Sequence, residues 1–251
     1  MSARLYGQVI HTPSAQAAPV GVEVLFRWAG GGPGEWFAQP GASADLARDL
    51  DRHVVAGLAR VSEALRDGCT PLFLNVCPET IASHRVFRRW VDQIAEVSAG
   101  FPARPIVIEL SEQSALNVSE LRQRLRLVHA AGFLSALDDY PSDFHTSERL
   151  DAYQWDFVKI CAHQARGRGV FPGLLVRECH QKGLGVIVER PGGKAEGRRF
   201  AHMGCLGLQG FHYSRPAPLS ATLAHEKKVI SHAVPRTCGA GGHAYRRLAG
   251  A

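Results

Sequence analysis

Apolar residues along this chain fall into two alternating patterns: short unbroken runs, and longer stretches in which they recur every three or four positions. The unbroken runs, at residues 22–28, 72–76, 106–110, 133–137, 157–160, 186–188 and 206–213, have the length expected of buried strands. Residues 5–10 add an eighth. The spaced stretches predict amphipathic helices. Leu46, Leu50, Val54, Leu58, Val61 and Leu65 lie on one stripe, and Phe87, Val91 and Ile94 on another. Asn117 and Glu120 form a capping pair ahead of Leu121, Leu125 and Val128, with Gly132 where a helix-ending glycine is expected. Leu174, Leu175 and Cys179 mark a further helix ending near Gly183, and residues 196–203, closed by Gly204, mark a short last one.

Short continuous strands separated by helices predict a mostly parallel sheet, covered on both faces or closed on itself. Eight strands in a chain of 251 residues fit an α/β, TIM-like (β/α)8 barrel with an antiparallel first strand. A doubly wound open sheet is the alternative, but no glycine-rich phosphate motif follows an early strand. Gly30, Gly31, Gly32 and Gly34 around Pro33 lack the lysine and the helix start that such a loop needs, and read as a plain loop. One barrel domain over residues 1–225 is expected, followed by a flexible basic tail over 226–251, an interaction segment or an inert overhang.

Polar residues interrupt the apolar runs in one recurrent place. Asn75, Glu109, Asp138, Asp139, Lys159 and Glu189 fall late in, or just after, a predicted strand, and Gln209 lies within one. In a parallel barrel those ends share one face, where barrel active sites are built. Carboxylates so crowded repel one another unless cations neutralise them, and oxygen ligands of this kind suit Mg²⁺ or Mn²⁺. Two ions could activate a water and shield a phosphate. Glu23 joins the set if its strand belongs to the same sheet. Each residue also has a plainer role: a turn or capping acid, a loop amide near Pro78 for Asn75, a corner amide before Gly210 for Gln209. Lys159 inside an apolar run is harder to explain so, because a buried lysine needs an anionic neighbour.

Composition changes this picture little. Six cysteines occur without a C-x-x-C pair, and no apolar run has the length of a signal peptide or membrane span, so a soluble cytoplasmic protein is expected. The formal net charge of +6 suits an anionic partner. Arg85, Arg88, Arg89, Arg122, Arg124 and Arg126 lie on predicted helices, however, where solvated faces account for them, and DNA binding gains no support.

In order along residues 5–219, nine short motifs resemble the EAL-domain cyclic di-GMP phosphodiesterases. They are Gln8; Glu23-Val24-Leu25 with Arg27-Trp28; Asn75; Glu109-Leu110-Ser111-Glu112; Asp138-Asp139; Lys159-Ile160; Glu189; Gln209-Gly210; and Arg215-Pro216. Singly these are weak signals, but together and in order they are specific. The resemblance implies that Glu23, Asn75, Glu109 and Asp138 hold one metal ion and Asp138, Asp139 and Glu189 a second, either Mg²⁺ or Mn²⁺. Lys159, Glu189 and Glu112 would be the catalytic group, with Lys159 near the attacking water and Glu112 anchoring a loop. Gln8, Leu25, Arg27 and Gln209 would contact substrate. The implied reaction is in-line attack of metal-bound water on one phosphodiester, giving linear pGpG.

Three departures from the family pattern bear on activity. The loop after Asp139 reads Tyr140-Pro-Ser-Asp-Phe-His-Thr146, and Pro141 cannot copy a glycine at positive φ. Cys161 replaces an aspartate, and Arg190-Pro191-Gly192 follows Glu189 where the family has a second glutamate. Cyclic di-GMP hydrolysis is the first expectation. The second is a non-hydrolytic module that binds cyclic di-GMP or a regulatory protein partner and controls motility, adhesion or biofilm formation. An unrelated barrel enzyme acting on a sugar phosphate is the third. A homodimer is compatible with the resemblance, and no membrane partner is expected.

Overall fold

A computed structural model describes residues 4–14, 18–27, 44–111, 114–141 and 147–232. Its strands are β1 (Arg4–Ile10), β2 (Gly21–Arg27), β3 (Leu72–Asn75), β4 (Ile106–Ser111), β5 (Leu134–Tyr140), β6 (Phe157–Cys161), β7 (Gly185–Glu189), β8 (Gly207–Gln209) and β9 (Ala217–Pro218). From β2 to β8 they pair in chain order and in parallel, while β1 lies antiparallel to β2. One residue pair closes the sheet. His11 N–H donates to Leu208 O at 2.9 Å, and Leu208 N–H donates back to His11 O at 2.8 Å. The TIM-like barrel with its antiparallel first strand is therefore the fold, and β9 adds a short pairing to the outer edge of β1.

Around the barrel lie α1 (Ala44–Leu65), α2 (Pro78–Ala82), α3 (His84–Ser98), α4 (Val118–Ala130), α5 (Ser147–Leu150), α6 (Ala162–Gly167), α7 (Pro172–Gln181), α8 (Lys194–His202) and α9 (Leu219–His232). Local chemistry sets their ends. At α4, Asn117 Oδ1 accepts from Glu120 N–H at 3.0 Å and Glu120 Oε2 accepts from Asn117 N–H at 2.9 Å, the reciprocal cap predicted. Gly132 ends the same helix at φ 82°, a left-handed turn that glycine adopts without steric cost. Pro78 opens α2 at its first turn, where no backbone N–H is needed. Among the described residues no helix is long and apolar enough to cross a membrane.

The period of two along each strand divides the barrel interior into layers. Phe73, Val107, Ala136, Phe157 and Ile187 form a dry lower layer with Ile10, Val20 and Leu134. Two residues further along the same strands come Asn75, Glu109, Asp138, Lys159 and Glu189, the polar upper layer. The lower layer is tight because small residues face large ones. The rings of Phe73 and Phe157 meet edge to face at 5.3 Å between centroids. A Cβ added at Gly21 would stand 2.3 Å from Phe73, and one at Gly185 2.6 Å from Phe157. Truncating either phenylalanine to alanine is expected to cost roughly 3–5 kcal/mol. The outward-facing residues of the strands pack on the helix stripes in one larger core that includes Leu58, Leu74, Phe87, Ile108, Leu125 and Val188.

Four expectations are corrected. The last predicted run, 206–213, yields only β8, because Gly210 at φ 155° turns the chain and its carbonyl accepts from Tyr213 N–H at 2.9 Å. Asp138 and Asp139 do not follow β5 but lie within it. The supposed tail does not begin at 226, since α9 runs to His232 and Glu226 is buried against Arg104 at 3.1 Å. Residues 233–251 lie outside the described residues. Arg124 is not on a solvated face. It is buried, donating from Nε to Ile81 O at 2.9 Å, with Nη1 2.9 Å from His84 Nδ1.

Candidate functional site

The polar upper layer converges on Lys159. Its Nζ lies 2.9 Å from Glu109 Oε1, 3.0 Å from Glu189 Oε1, 3.1 Å from Asp138 Oδ1 and 3.4 Å from Glu23 Oε2. Four carboxylates thus share one buried ammonium, and a fifth, Asp139, lines the cavity nearby. The strands explain the convergence: β4, β5 and β7 turn late residues inward, β6 brings Lys159 from its middle, and β2 brings Glu23 from its third position, in register with Phe73.

Amides orient the acid nearest the seam. Asn75 Nδ2 donates to Glu23 Oε1 at 2.7 Å, and Gln209 Nε2 donates to Glu23 Oε2. Gln209 also reaches Gln8 Oε1 at 3.2 Å, and Gln8 Nε2 donates to Ser214 O at 2.9 Å. Burial alone would raise the pKa of Glu23, but the Lys159 charge and these amide donors outweigh it and hold the group ionised below its ordinary value. Its neighbours go the other way. Burial lifts Glu109 well above the usual range and Glu189 to about 7; burial and the adjacent Asp138 charge lift Asp139 to about 6. Burial alone would lower the pKa of Lys159, yet the carboxylates, Asp138 foremost, keep it charged. One ammonium cannot hold four contacting carboxylates and a fifth nearby ionised. The cluster has unused affinity for positive charge.

The oxygen atoms fit hard divalent cations. Both carboxylate oxygens of Glu109, Asp138 Oδ1 and Gln209 Oε1 are buried without a hydrogen-bond partner, and only the ammonium relieves Glu109 Oε1 and Asp138 Oδ1. Among the described residues no three His, Cys, Asp or Glu side chains are already gathered about one cation position. The acids point at Lys159 instead. Cation binding therefore requires some of them to turn outward from the ammonium.

Above the acids opens a cavity of about 550 Å³. Of the residues singled out in the sequence, Gln8, Glu23, Leu25, Arg27, Asp138, Asp139, Lys159, Glu189 and Gln209 line it, as does Pro216. Asn75 and Glu109 stand behind Glu23 and Lys159 through the contacts above. Glu112, Trp28 and residues 142–146 of the altered loop lie outside the described residues. Pro141 is described and buried, after a cis peptide bond from Tyr140. Cys161 is buried at the end of β6, paired in register with Glu189.

Arg190 and Pro191, marked in the sequence only as a departure from the family pattern, also line the cavity, and so do Phe211 and His212, which the sequence did not mark. Arg190 and Phe211 sit one and two residues beyond the strand-end residues Glu189 and Gln209, so the barrel rule that located those acids could have been extended into the loops. Phe211 is exposed at the rim, with the Arg215 guanidinium 4.9 Å above its ring. Two non-glycine residues here have positive φ, Asp139 at 59° and Arg190 at 48°, and each such geometry costs on the order of 1 kcal/mol. At Asp139 the distortion accompanies a register shift between β5 and β6.

Elsewhere, Ser135, His129 and Asp156 meet at the opposite end of β5. They do not form a nucleophilic triad. Serine and aspartate approach the same imidazole nitrogen, at 3.1 and 3.0 Å, and Ser135 is fully buried.

Comparison with known proteins agrees with the geometry. The family model of the EAL domain matches residues 4–216. The chain is 31% identical over 149 residues to Probable cyclic di-GMP phosphodiesterase PdeG of Escherichia coli (strain K12), covering 56% of this chain and 29% of that protein. It is similar to Klebsiella pneumoniae BlrP1, solved with calcium and cyclic di-GMP, at a TM-score of 0.70 and 24% identity, covering 86% of this chain and 56% of that one. Bacillus subtilis YkuI, which has an EAL domain and was solved with cyclic di-GMP and calcium, is similar at a TM-score of 0.73 and 18% identity, covering 92% of this chain and 62% of that one. At these identities the two structures speak to the fold. The chain spans less than two thirds of the length of each of these relatives.

Proposed function

Because this chain belongs to the EAL-domain family, we propose that its acidic pocket binds cyclic di-GMP and, with two divalent cations, hydrolyses one phosphodiester to linear pGpG. The observation that carries this reading is the crowd of four carboxylates on one ammonium, with Asp139 close by, beneath a cavity of about 550 Å³. Glu23, Asn75, Glu109 and Asp138 would hold one ion, and Asp138, Asp139 and Glu189 the other, Mg²⁺ or Mn²⁺ in each case. When bound, the ions would offset the repulsion among the acids, activate the attacking water and shield the phosphate.

The chain's own residues supply the rest. Lys159 stays protonated among its acids, so it orients them and adds positive charge rather than accepting a proton. Gln209 and Asn75 fix Glu23, leaving the Gln209 carbonyl oxygen free of hydrogen bonds. Gln8, Leu25 and Arg27 form one wall, and Phe211 offers a ring on which a purine can stack. In the reaction a water oxygen bonds to phosphorus while one P–O ester bond breaks. The water loses a proton to the acidic cluster, and the departing ribose oxygen gains one.

Incubation of the purified chain with cyclic di-GMP and Mg²⁺ or Mn²⁺, followed by chromatography, tests the reading. pGpG is expected with metal and not with a chelator. No product with either metal, while the nucleotide still binds, would favour the second reading. In that reading the domain senses cyclic di-GMP or a protein partner without cutting, and acts on motility or biofilm formation. Arg190 and Pro191 after Glu189, and Cys161 beside it, are the observations in its favour.

A further inference from the structure

A second cavity, about 540 Å³, opens on the outer wall of the barrel. Its floor is the outward side of the closing seam, where Val9, Val22 and Leu208 lie with Pro13 and Pro19 at the edge. Its rim is cationic. Lys194 and Arg198 project from successive turns of α8, and His225 stands opposite on α9. Glu226, the one acid among the described lining residues, already accepts from Arg104 through both carboxylate oxygens at 3.1 Å, so it contributes little free negative charge. His11 lines the cavity too, and its Nε2 is a buried atom without a hydrogen-bond partner.

An apolar floor beneath positive charge complements a molecule with an anionic head and an apolar body. The barrel's structural needs do not account for the combination. Lys194, Arg198 and His225 are exposed, and charged heads on this rim do not cover the apolar floor.

We propose that this outer cavity binds a small organic anion, a carboxylate, sulfonate or phosphate on an apolar body. Lys194 and Arg198 pair with the anionic group, and Val9, Val22 and Leu208 hold the body. The site is separate from the acidic pocket and independent of the reaction assigned there. His212 lines both cavities, so an anion held outside lies one side chain away from the acidic pocket.

The probe is 1-anilinonaphthalene-8-sulfonate, which carries one sulfonate on aromatic rings and fluoresces when removed from water. Titrated onto the whole chain without divalent metal, it is expected to bind saturably, one molecule per chain. Lys194→Glu with Arg198→Glu is expected to weaken binding at least about tenfold. Arg85→Glu with Arg89→Glu makes the same charge change on the exposed face of α3 and is expected to leave binding intact. Equal weakening by both pairs reduces the effect to long-range attraction and overturns the site. No weakening by the first pair overturns it as well, and so does displacement of the probe by cyclic di-GMP, which would place it in the acidic pocket. Circular dichroism checks that the variants fold. Should the first pair not fold, His225→Glu gives the same readout from α9.

Discussion

Two buried charge centres occupy this barrel, and they are built on opposite terms. Away from the acidic pocket, Arg104 meets one glutamate. Its Nη1 donates to both oxygens of Glu226 at 3.1 Å and to Thr70 O at 2.8 Å, its Nε donates to Leu65 O at 3.2 Å, and only Nη2 is left over. In the pocket, Lys159 meets four acids with a fifth, Asp139, in the same cavity, and four oxygens there lack hydrogen bonds. The first centre balances its charge and ties α9 to segments 122 residues away. The second is left short of positive charge. A balanced pair is what structure needs, and an imbalance is what a site for added cations needs.

The contrast can be broken most forcefully at its balanced member. Glu226→Ala strands a buried guanidinium and is expected to cost about 3–5 kcal/mol in chemical denaturation, with the remaining folded protein keeping its turnover. Glu189→Ala, at an acid whose pKa burial lifts to about 7, should do the reverse. Turnover of cyclic di-GMP is expected to fall about 10²–10³-fold, while stability in metal-free buffer changes by under about 1 kcal/mol, because the change removes one of too many acids. Equal stability losses in the two variants would show that both centres are structural. Added metal comes next: Mn²⁺ at a hundredfold excess over its Kd should stabilise the wild type by about 2.7 kcal/mol, Glu226→Ala likewise, and Glu109→Ala far less.

Two smaller effects sharpen the comparison. Arg190→Gly removes a cation from the cavity and relaxes a positive φ, and initial rates should show KM raised about tenfold with kcat much less changed. Asp51 is a third case, a buried acid on α1 held by Cys77 N–H at 3.3 Å, with a pKa lifted to about 6, chiefly by burial. A raised carboxyl pKa means that the folded state binds the proton more tightly. Its penalty is therefore absent below about pH 4, grows up to about pH 6 and stays constant above. Asp51→Asn should gain on the order of 1–2 kcal/mol at pH 8 and nothing at pH 4, as read from paired denaturation curves.

Much of this was written locally in the chain. The α4 cap, the α1 stripe and the polar residue two places after each inward apolar one depend on short-range periodicity, so strands, helices and most of the acidic layer were legible. The missing pieces depend on distance or on loops. Glu226 reads as the start of a basic tail until Arg104, 122 residues earlier, is brought beside it. Arg124 reads as a solvated helix residue until the carbonyl of Ile81 reaches it. Phe211 and His212 follow a strand without any period to announce them, and β8 stops early because one glycine, Gly210, turns the chain. The grouping of acids around an ammonium was foreseeable in kind, since a buried lysine demands anions, but not the number it would gather.

The aromatic lower layer has a further consequence for traffic. Phe73 and Phe157, seated against Gly21 and Gly185, plug the barrel below the acids, and each residue of that layer is at most 4% exposed. Among the described residues the acidic cavity has no passage through the lower end of the barrel. For the proposed reaction, a cut dinucleotide must back out by the way it came in before the next cyclic molecule can enter. Product and substrate then queue for the same opening, and accumulated pGpG acts as a competitor simply by standing in it.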